Sequence, residues 1–204
     1  MTFVKICGLS QKKHVLAAVE AGATMIGFVF APSKRQVTTE QATELAQYIP
    51  KGIKKVGVFV NSDKETIKQI FNDVPLDYVQ YHGDETNEFI QQIGLPSIKA
   101  FPIRTKEDVL RASQYDVDYY LFDTPSTTYR GGSGETFDWS LIQNSNIPTK
   151  KIIIAGGLNN ENVLQAITLT SPAGVDVSSG VERDGQKDSA LITQFLATVK
   201  GVIV

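Results

Sequence analysis

Short apolar runs alternate along the chain with segments whose apolar residues recur at helical spacing. Phe3 to Cys7 reads as a strand broken by Gly8. Gln11 to Glu20 follows, with Val15, Leu16 and Val19 on one helical face before Gly22 stops it. The unit returns as a strand over Thr24 to Phe30 with a helix over Thr39 to Tyr48, then as Lys54 to Val60 with Lys64 to Phe71. Tyr78 to His82 precedes a helix over Glu85 to Ile93, and Ser97 to Phe101 precedes one over Lys106 to Ala112. A sixth strand, Tyr119 to Asp123, leads through a longer loop to Asp138-Trp139-Ser140, where a helix is expected to start. Strands around Ile152 and Val175 complete eight. Asp188 caps a last helix carrying Leu191, Ile192, Phe195 and Leu196.

Strands and helices that alternate through short loops predict a parallel sheet wrapped in helices. Eight regular units favour closure into a single-domain (β/α)8 TIM barrel over residues 1–204, with an open doubly wound sheet as the structural rival. Composition agrees with one compact unit: 204 residues, 42% hydrophobic and 21% charged. A typical barrel of this kind has about 250 residues, which leaves little room for an inserted domain.

Two glycine-bearing strand ends supply the first chemistry. Ile152-Ile153-Ile154-Ala155-Gly156-Gly157 is an apolar strand that runs into two glycines, and Asn159 after them can cap a helix. Gly174-Val175-Asp176-Val177-Ser178-Ser179-Gly180 is a strand that stops in a turn of small residues. Backbone N–H groups in such turns converge on an anion, because no bulky Cβ blocks the approach. After the seventh and eighth strands of a barrel, this is a phosphate cup.

Sites in this fold lie at the C-terminal strand ends, which selects Cys7, the stretch from Phe30 to Arg35, His82, Asp123, Gly156, Gly157 and Asp176 to Gly180. Period-two alternation turns Val4 and Ile6 towards the helices and Lys5 and Cys7 into the barrel. The same argument points Asp123 and Asp176 inward. Each has a plain structural alternative. A lone cysteine is commonly a small buried hydrophobe, although its place at a strand end beside Gly8 favours function. Asp123 would cap a helix, but Thr124-Pro125 and a long loop follow it. Asp176 either neutralises Lys5 or contacts a ligand. Turn hydrogen bonds are the plain alternative for His82 before Gly83-Asp84, and solvation is the plain alternative for Arg35. Trp139 reads as core, and Gly131-Gly132-Ser133-Gly134 alone is a weak signal for a lid.

Charge and cysteine content narrow the class. The net charge of −2 is scattered, so no basic footprint for nucleic acid exists. No signal peptide and no bilayer-spanning apolar run is seen. A single cysteine rules out an internal disulfide and suits a reducing cytoplasm, and two histidines are few for a zinc site. The expected chain is cytoplasmic and without metal.

Several motifs in order resemble the phosphoribosylanthranilate isomerase family. They are Lys5-Ile6-Cys7-Gly8-Leu9, Gly27-Phe28-Val29-Phe30 with Arg35-Gln36-Val37, and Val79-Gln80-Tyr81-His82-Gly83. Gly131 to Gly134 with Phe137-Asp138-Trp139, Ala155-Gly156-Gly157-Leu158, and Gly174 to Glu182 followed by Gly185-Gln186-Lys187-Asp188 continue the match. Lys34, Tyr81 and Ser133 depart from the usual proline, leucine and threonine. The resemblance implies an Amadori rearrangement on a (β/α)8 barrel, with Asp123 as general acid and Cys7 as general base. Arg35 would hold the anthranilate carboxylate, and His82 and Asp176 would line the substrate. Gly156, Gly157, Ser178, Ser179 and Gly180 would take the phosphate of a small phosphosugar substrate, with no cofactor, in a chain expected to be a monomer or homodimer. For such roles Asp123 should be held protonated by its apolar setting, and Lys5 should lend Cys7 thiolate character. The related sugar isomerisation of histidine biosynthesis needs a carboxylate where Cys7 stands. A non-catalytic phosphate-binding barrel would not need both Cys7 and Asp123.

Overall fold

The computed structural model describes residues 2–125, 136–143 and 145–201. Gly131 to Gly134 lie outside the described residues. Eight parallel strands form one closed ring in sequence order: β1 (Phe3–Cys7), β2 (Met25–Val29), β3 (Lys54–Phe59), β4 (Tyr78–Tyr81), β5 (Ser97–Pro102), β6 (Tyr119–Asp123), β7 (Ile152–Ile154) and β8 (Gly174–Val177). Closure comes from β8 pairing with β1, in a register that sets Lys5 opposite Asp176. An open doubly wound sheet is thereby excluded.

Alternation along each strand divides the apolar residues in two. Val4, Ile6, Tyr120, Phe122, Ile152 and Ile154 face the surrounding helices, while Leu121 and Ile153 join Met25, Val56, Ile98, Ala100 and Ala155 inside the ring. Phe3, Tyr78 and Tyr119 pack against this inner cluster, with ring centroids 5.4 and 5.8 Å apart in edge-to-face contacts. The interior is therefore filled with side chains, and its C-terminal end carries the polar ones.

The helices are α1 (Lys12–Glu20), α2 (Thr39–Ala46), α3 (Lys64–Asp73), α4 (Asn87–Ile93), α5 (Lys106–Ala112), α6 (Val163–Thr170) and α7 (Ser189–Lys200). Asp188 caps α7 as expected, accepting from the Ala190 and Leu191 N–H groups at 2.8 and 3.1 Å. After β6 the expected helix is only a 3-10 turn, Trp139–Ile142, with Trp139 in the core. The reason lies downstream: Ser145, Asn146 and Pro148 compete with or block helical propagation. Glu85 does not begin α4. Thr86 caps that helix, and the Glu85 carboxylate turns back to accept from Gly83 N and Asn61 N at 2.8 and 2.7 Å. No helix among the described residues is long and apolar enough to cross a membrane.

One element had not been anticipated, a small antiparallel hairpin of β9 (Glu182–Arg183) and β10 (Gln186–Lys187) between β8 and α7. Its turn, Asp184-Gly185, has positive φ at both residues (51° and 76°), the geometry that Asp-Gly favours. Glu182 ties this hairpin to the β2–α2 loop. Its Oε1 accepts from Arg35 Nε at 2.6 Å and Lys187 Nζ at 2.7 Å, and its Oε2 from Arg35 Nη2 and Lys34 Nζ at 3.0 and 3.1 Å. Burial alone would raise this carboxyl, but the bonds and charges of Arg35 and Lys187 bring its pKa down to about 2. A depressed acid contributes stability above its ordinary pKa of 4.5 and loses it as pH falls through about 2. Wild type should therefore exceed Glu182→Gln in urea stability by its full margin at neutral pH, and the gap should close over that window. A margin that is flat from pH 5 to ~2 would contradict the network's electrostatic role.

Candidate active site

The residues singled out at the strand ends meet at the C-terminal mouth of the barrel. Cys7 ends β1, free and buried, opposite Gly27 of β2. A Cβ on Gly27 would lie 2.9 Å from Cys7 Sγ and 3.1 Å from Lys5 Nζ, so thiol and ammonium share the space this glycine leaves open. Lys5 is 0% exposed and donates to Asp176 Oδ1 at 2.8 Å, so Asp176 neutralises the buried lysine, the first of its two readings. Burial works against the Lys5 ammonium, yet Asp176 and the Cys7 sulfur together hold its pKa above the ordinary value. Burial also pushes the Cys7 thiol up; Lys5 offsets this only in part, and Asp176 adds to the rise. Lys5 does lend Cys7 thiolate character, but burial, the larger effect, together with Asp176 outweighs it.

Asp123 ends β6, three strands away round the ring, and is buried. It caps no helix. Its Oδ1 accepts from Thr124 N at 2.8 Å, and its Oδ2 lies 3.4 Å from His82 Nε2 at the end of β4. His82 is accordingly not spent on its turn alone. The backbone N–H of His82 donates to Phe59 O at 2.8 Å, and its ring spans from Gln80 Nε2 (3.3 Å from Nδ1) to Asp123. Gly156 adopts φ +78°, and a Cβ there would lie 2.4 Å from Thr124 N and 2.8 Å from Asp123 Oδ1. This glycine lets β7 end flush against Asp123.

The two glycine-bearing turns touch. A Cβ on Gly180 would fall 1.8 Å from the Leu158 carbonyl oxygen, a backbone contact that no rotamer relieves. Gly157 (φ +62°) lies on one side, and a 3-10 turn, Ser179–Val181, on the other. Among the described residues the N–H groups of Gly157, Ser179 and Gly180 donate to no protein acceptor. Ser178 serves the frame: its hydroxyl donates to the Cys7 carbonyl at 3.2 Å, while Lys187 Nζ donates to its carbonyl at 2.7 Å. Burial lowers the Lys187 pKa, with Glu182 opposing.

Arg35 is not a solvated loop charge. Its chain packs on Gly8 (φ +77°), where a Cβ would meet Arg35 Cδ at 2.6 Å, and two of its nitrogens are held by Glu182. Gln80, Lys187 and the role of Glu182 were not recognised from sequence. Gln80 could have been found by period two, since it shares a face with His82; the Asp184-Gly185 pair could have flagged the hairpin. No three of His, Cys, Asp and Glu among the described residues form a metal-holding group.

A family model described as N-(5'phosphoribosyl)anthranilate (PRA) isomerase matches residues 4–198. A relative from Listeria welshimeri, N-(5'-phosphoribosyl)anthranilate isomerase, is 53% identical over 199 residues, covering 98% of each chain. The crystal structure of phosphoribosyl anthranilate isomerase from Thermotoga maritima superposes with a TM-score of 0.89 at 40% identity, covering 98% of this chain and 100% of that one. Another crystal structure of a phosphoribosyl anthranilate isomerase is a complex with reduced 1-(o-carboxyphenylamino)-1-deoxyribulose 5-phosphate. It gives a TM-score of 0.86 at 39% identity, covering 98% of this chain and 100% of that one. With a closed barrel, a strand-end thiol and a strand-end carboxyl in its mouth, and matches along nearly its whole length, this chain belongs to the N-(5'-phosphoribosyl)anthranilate isomerase family.

Proposed function

We propose that the chain converts N-(5-phospho-β-D-ribosyl)anthranilate to 1-(2-carboxyphenylamino)-1-deoxy-D-ribulose 5-phosphate, an Amadori rearrangement in tryptophan biosynthesis. The observation that carries the reading is an inward thiol on β1 and an inward carboxyl on β6 in one barrel mouth of a chain in this family. Asp123 gives a proton to the furanose ring oxygen as the C1′–O bond breaks, and the nitrogen lone pair forms a protonated Schiff base. Cys7, as thiolate, removes the proton on C2′, and the electron pair flows to the imine nitrogen to give an enolamine. Transfer of the enol proton to C1′ completes the ketone. The Schiff base is the electron sink, so no step as written calls for a metal or an organic cofactor.

The N–H groups of Gly157, Ser179 and Gly180 hold the phosphate, with the positive end of the short 3-10 turn behind them. Gly156 and Ser178 belong to the same cup, on its β7 and β8 sides. Asp176 acts through Lys5, setting how much positive charge the Cys7 sulfur feels. A cytoplasmic setting suits an enzyme whose base is a free cysteine. Because burial raises the thiol, turnover should rise from neutral towards alkaline pH as thiolate appears.

Fluorescence during conversion of freshly made phosphoribosylanthranilate, with chelator present, tests the activity. Cys7→Ser and Asp123→Asn keep the shape of each side chain, and each should lower turnover at least ~10²-fold, the lower end for a positioned base or acid. Affinity for a reduced product analogue should change little in either. Deuterium on C2′ should slow wild type where proton abstraction limits the rate, whereas ring opening should limit Asp123→Asn and suppress the isotope effect. Near-native turnover of a folded Cys7→Ser protein would remove Cys7 as the base.

Arg35 reads the anthranilate carboxylate with the guanidinium edge that Glu182 leaves uncovered. Arg35→Ala should therefore weaken binding of a product analogue by about 1.5–3 kcal/mol, and much less for an analogue lacking the benzoate carboxylate. Equal weakening of the two, by isothermal calorimetry, would show that Arg35 does not contact that group.

A further inference from the structure

Gln80 is 1% exposed and sits inside the barrel on β4, two residues before His82 and on the same face. Its Nε2 lies 3.3 Å from His82 Nδ1, and His82 Nε2 lies 3.4 Å from Asp123 Oδ2. We propose that Gln80 is a positioning residue for the acid step: its amide N–H fixes His82 as the neutral Nε2–H tautomer, whose N–H supports the Asp123 carboxylate as it forms. The inference rests on the assignment of Asp123 as general acid given above.

The tautomer follows from what faces Nδ1. A donor stands there, so the hydrogen of a neutral ring sits on Nε2, the nitrogen that faces Asp123. In a neutral ring Nδ1 is then an acceptor, and the amide nitrogen of Gln80 is the donor beside it. Turning the amide over would bury two unpaired N–H groups where Oε1 now stands without a partner among the described residues, which costs more than one unpaired oxygen. Both contacts are long for hydrogen bonds, as catalytic contacts often are before substrate tightens them.

The consequence is catalytic rather than structural. A neutral Nε2–H bonds weakly to a protonated Asp123 and strongly to an ionised one, because charge-assisted hydrogen bonds are about twice as strong. The bond therefore strengthens as Asp123 releases its proton to the ring oxygen, which lowers the barrier rather than the energy of bound substrate. Thr124 N, on Asp123 Oδ1, supports the other oxygen throughout.

The test uses Gln80→Met, close to glutamine in volume and without a donor, and Gln80→Glu, which offers Nδ1 only acceptors. Nitrogen-15 NMR of the imidazoles reads the tautomer directly, with the His82 signals assigned by their loss in His82→Gln. Wild type should show the Nε2–H form, Gln80→Met a mixture of tautomers, and Gln80→Glu protons on both nitrogens. Gln80→Met should lower kcat about tenfold, one hydrogen bond's worth of barrier, with KM within about twofold. An unchanged His82 tautomer and unchanged kcat in Gln80→Met, in a protein where Asp123→Asn is inactive, would overturn the proposal. Should Gln80→Met not fold, Gln80→Glu with the wild-type tautomer would overturn it equally. Near-native turnover in Asp123→Asn would instead reject the acid assignment itself, so the two failures are told apart.

Discussion

A lysine with no exposed surface inside a barrel must find a negative partner, and Lys5 finds it across the seam that closes the ring. The β1–β8 register puts Asp176 directly opposite, 2.8 Å from its ammonium. Removing either partner would leave an uncompensated buried charge, which is far more costly than the pair itself. The pair therefore selects the register that closes the sheet. It also sets the field around Cys7. Burial raises the thiol's pKa, Lys5 lowers it and Asp176 adds to the rise, so the lysine tempers the cost of ionising the sulfur without removing it.

From that seam the mouth is assembled by small residues as much as by chemical ones. Gly27 makes the space that Cys7 Sγ and Lys5 Nζ occupy, Gly156 lets β7 end against Asp123, and Gly180 lets the β8 turn lie on the Leu158 carbonyl. Each is a backbone approach that a methyl group would obstruct. The thiol and the carboxyl thus stand on strands, which are stiff, while the N–H groups proposed to hold phosphate stand on the turns that follow them.

A second charge network holds the rim. Glu182 gathers Lys34, Arg35 and Lys187, so three cations surround one carboxylate, and Lys187 reaches on to the Ser178 carbonyl. The excess positive charge suits a substrate with a phosphate and a carboxylate. The network also joins the β2–α2 loop, the hairpin and the β8 turn into one unit. Lys34, which stands where the family generally has proline, is a working member of it through Glu182.

Local pattern determined most of the architecture. Eight apolar runs, the helical spacing between them and capping residues such as Asp188 are short-range properties, and they specified strands, helices and their order. Alternation specified which way Lys5, Cys7 and Asp123 point, because period two follows from the pleat alone. Pattern failed where neighbours in space outvoted neighbours in sequence. The segment after Trp139 looked helical, but Pro148 and the polar residues before it allowed only a 3-10 turn. Glu85 looked like a helix start, yet the Gly83 and Asn61 N–H groups drew its carboxylate inward. Other pairings across the ring were beyond sequence: Arg35 with Glu182, and His82 between Gln80 and Asp123, whereas Asp176 with Lys5 was already one of two readings. Electrostatic state depends on distance and burial, which exist only once the ring has closed. The sequence could name the thiol and the carboxyl, but only the tertiary structure decided which charges each one feels.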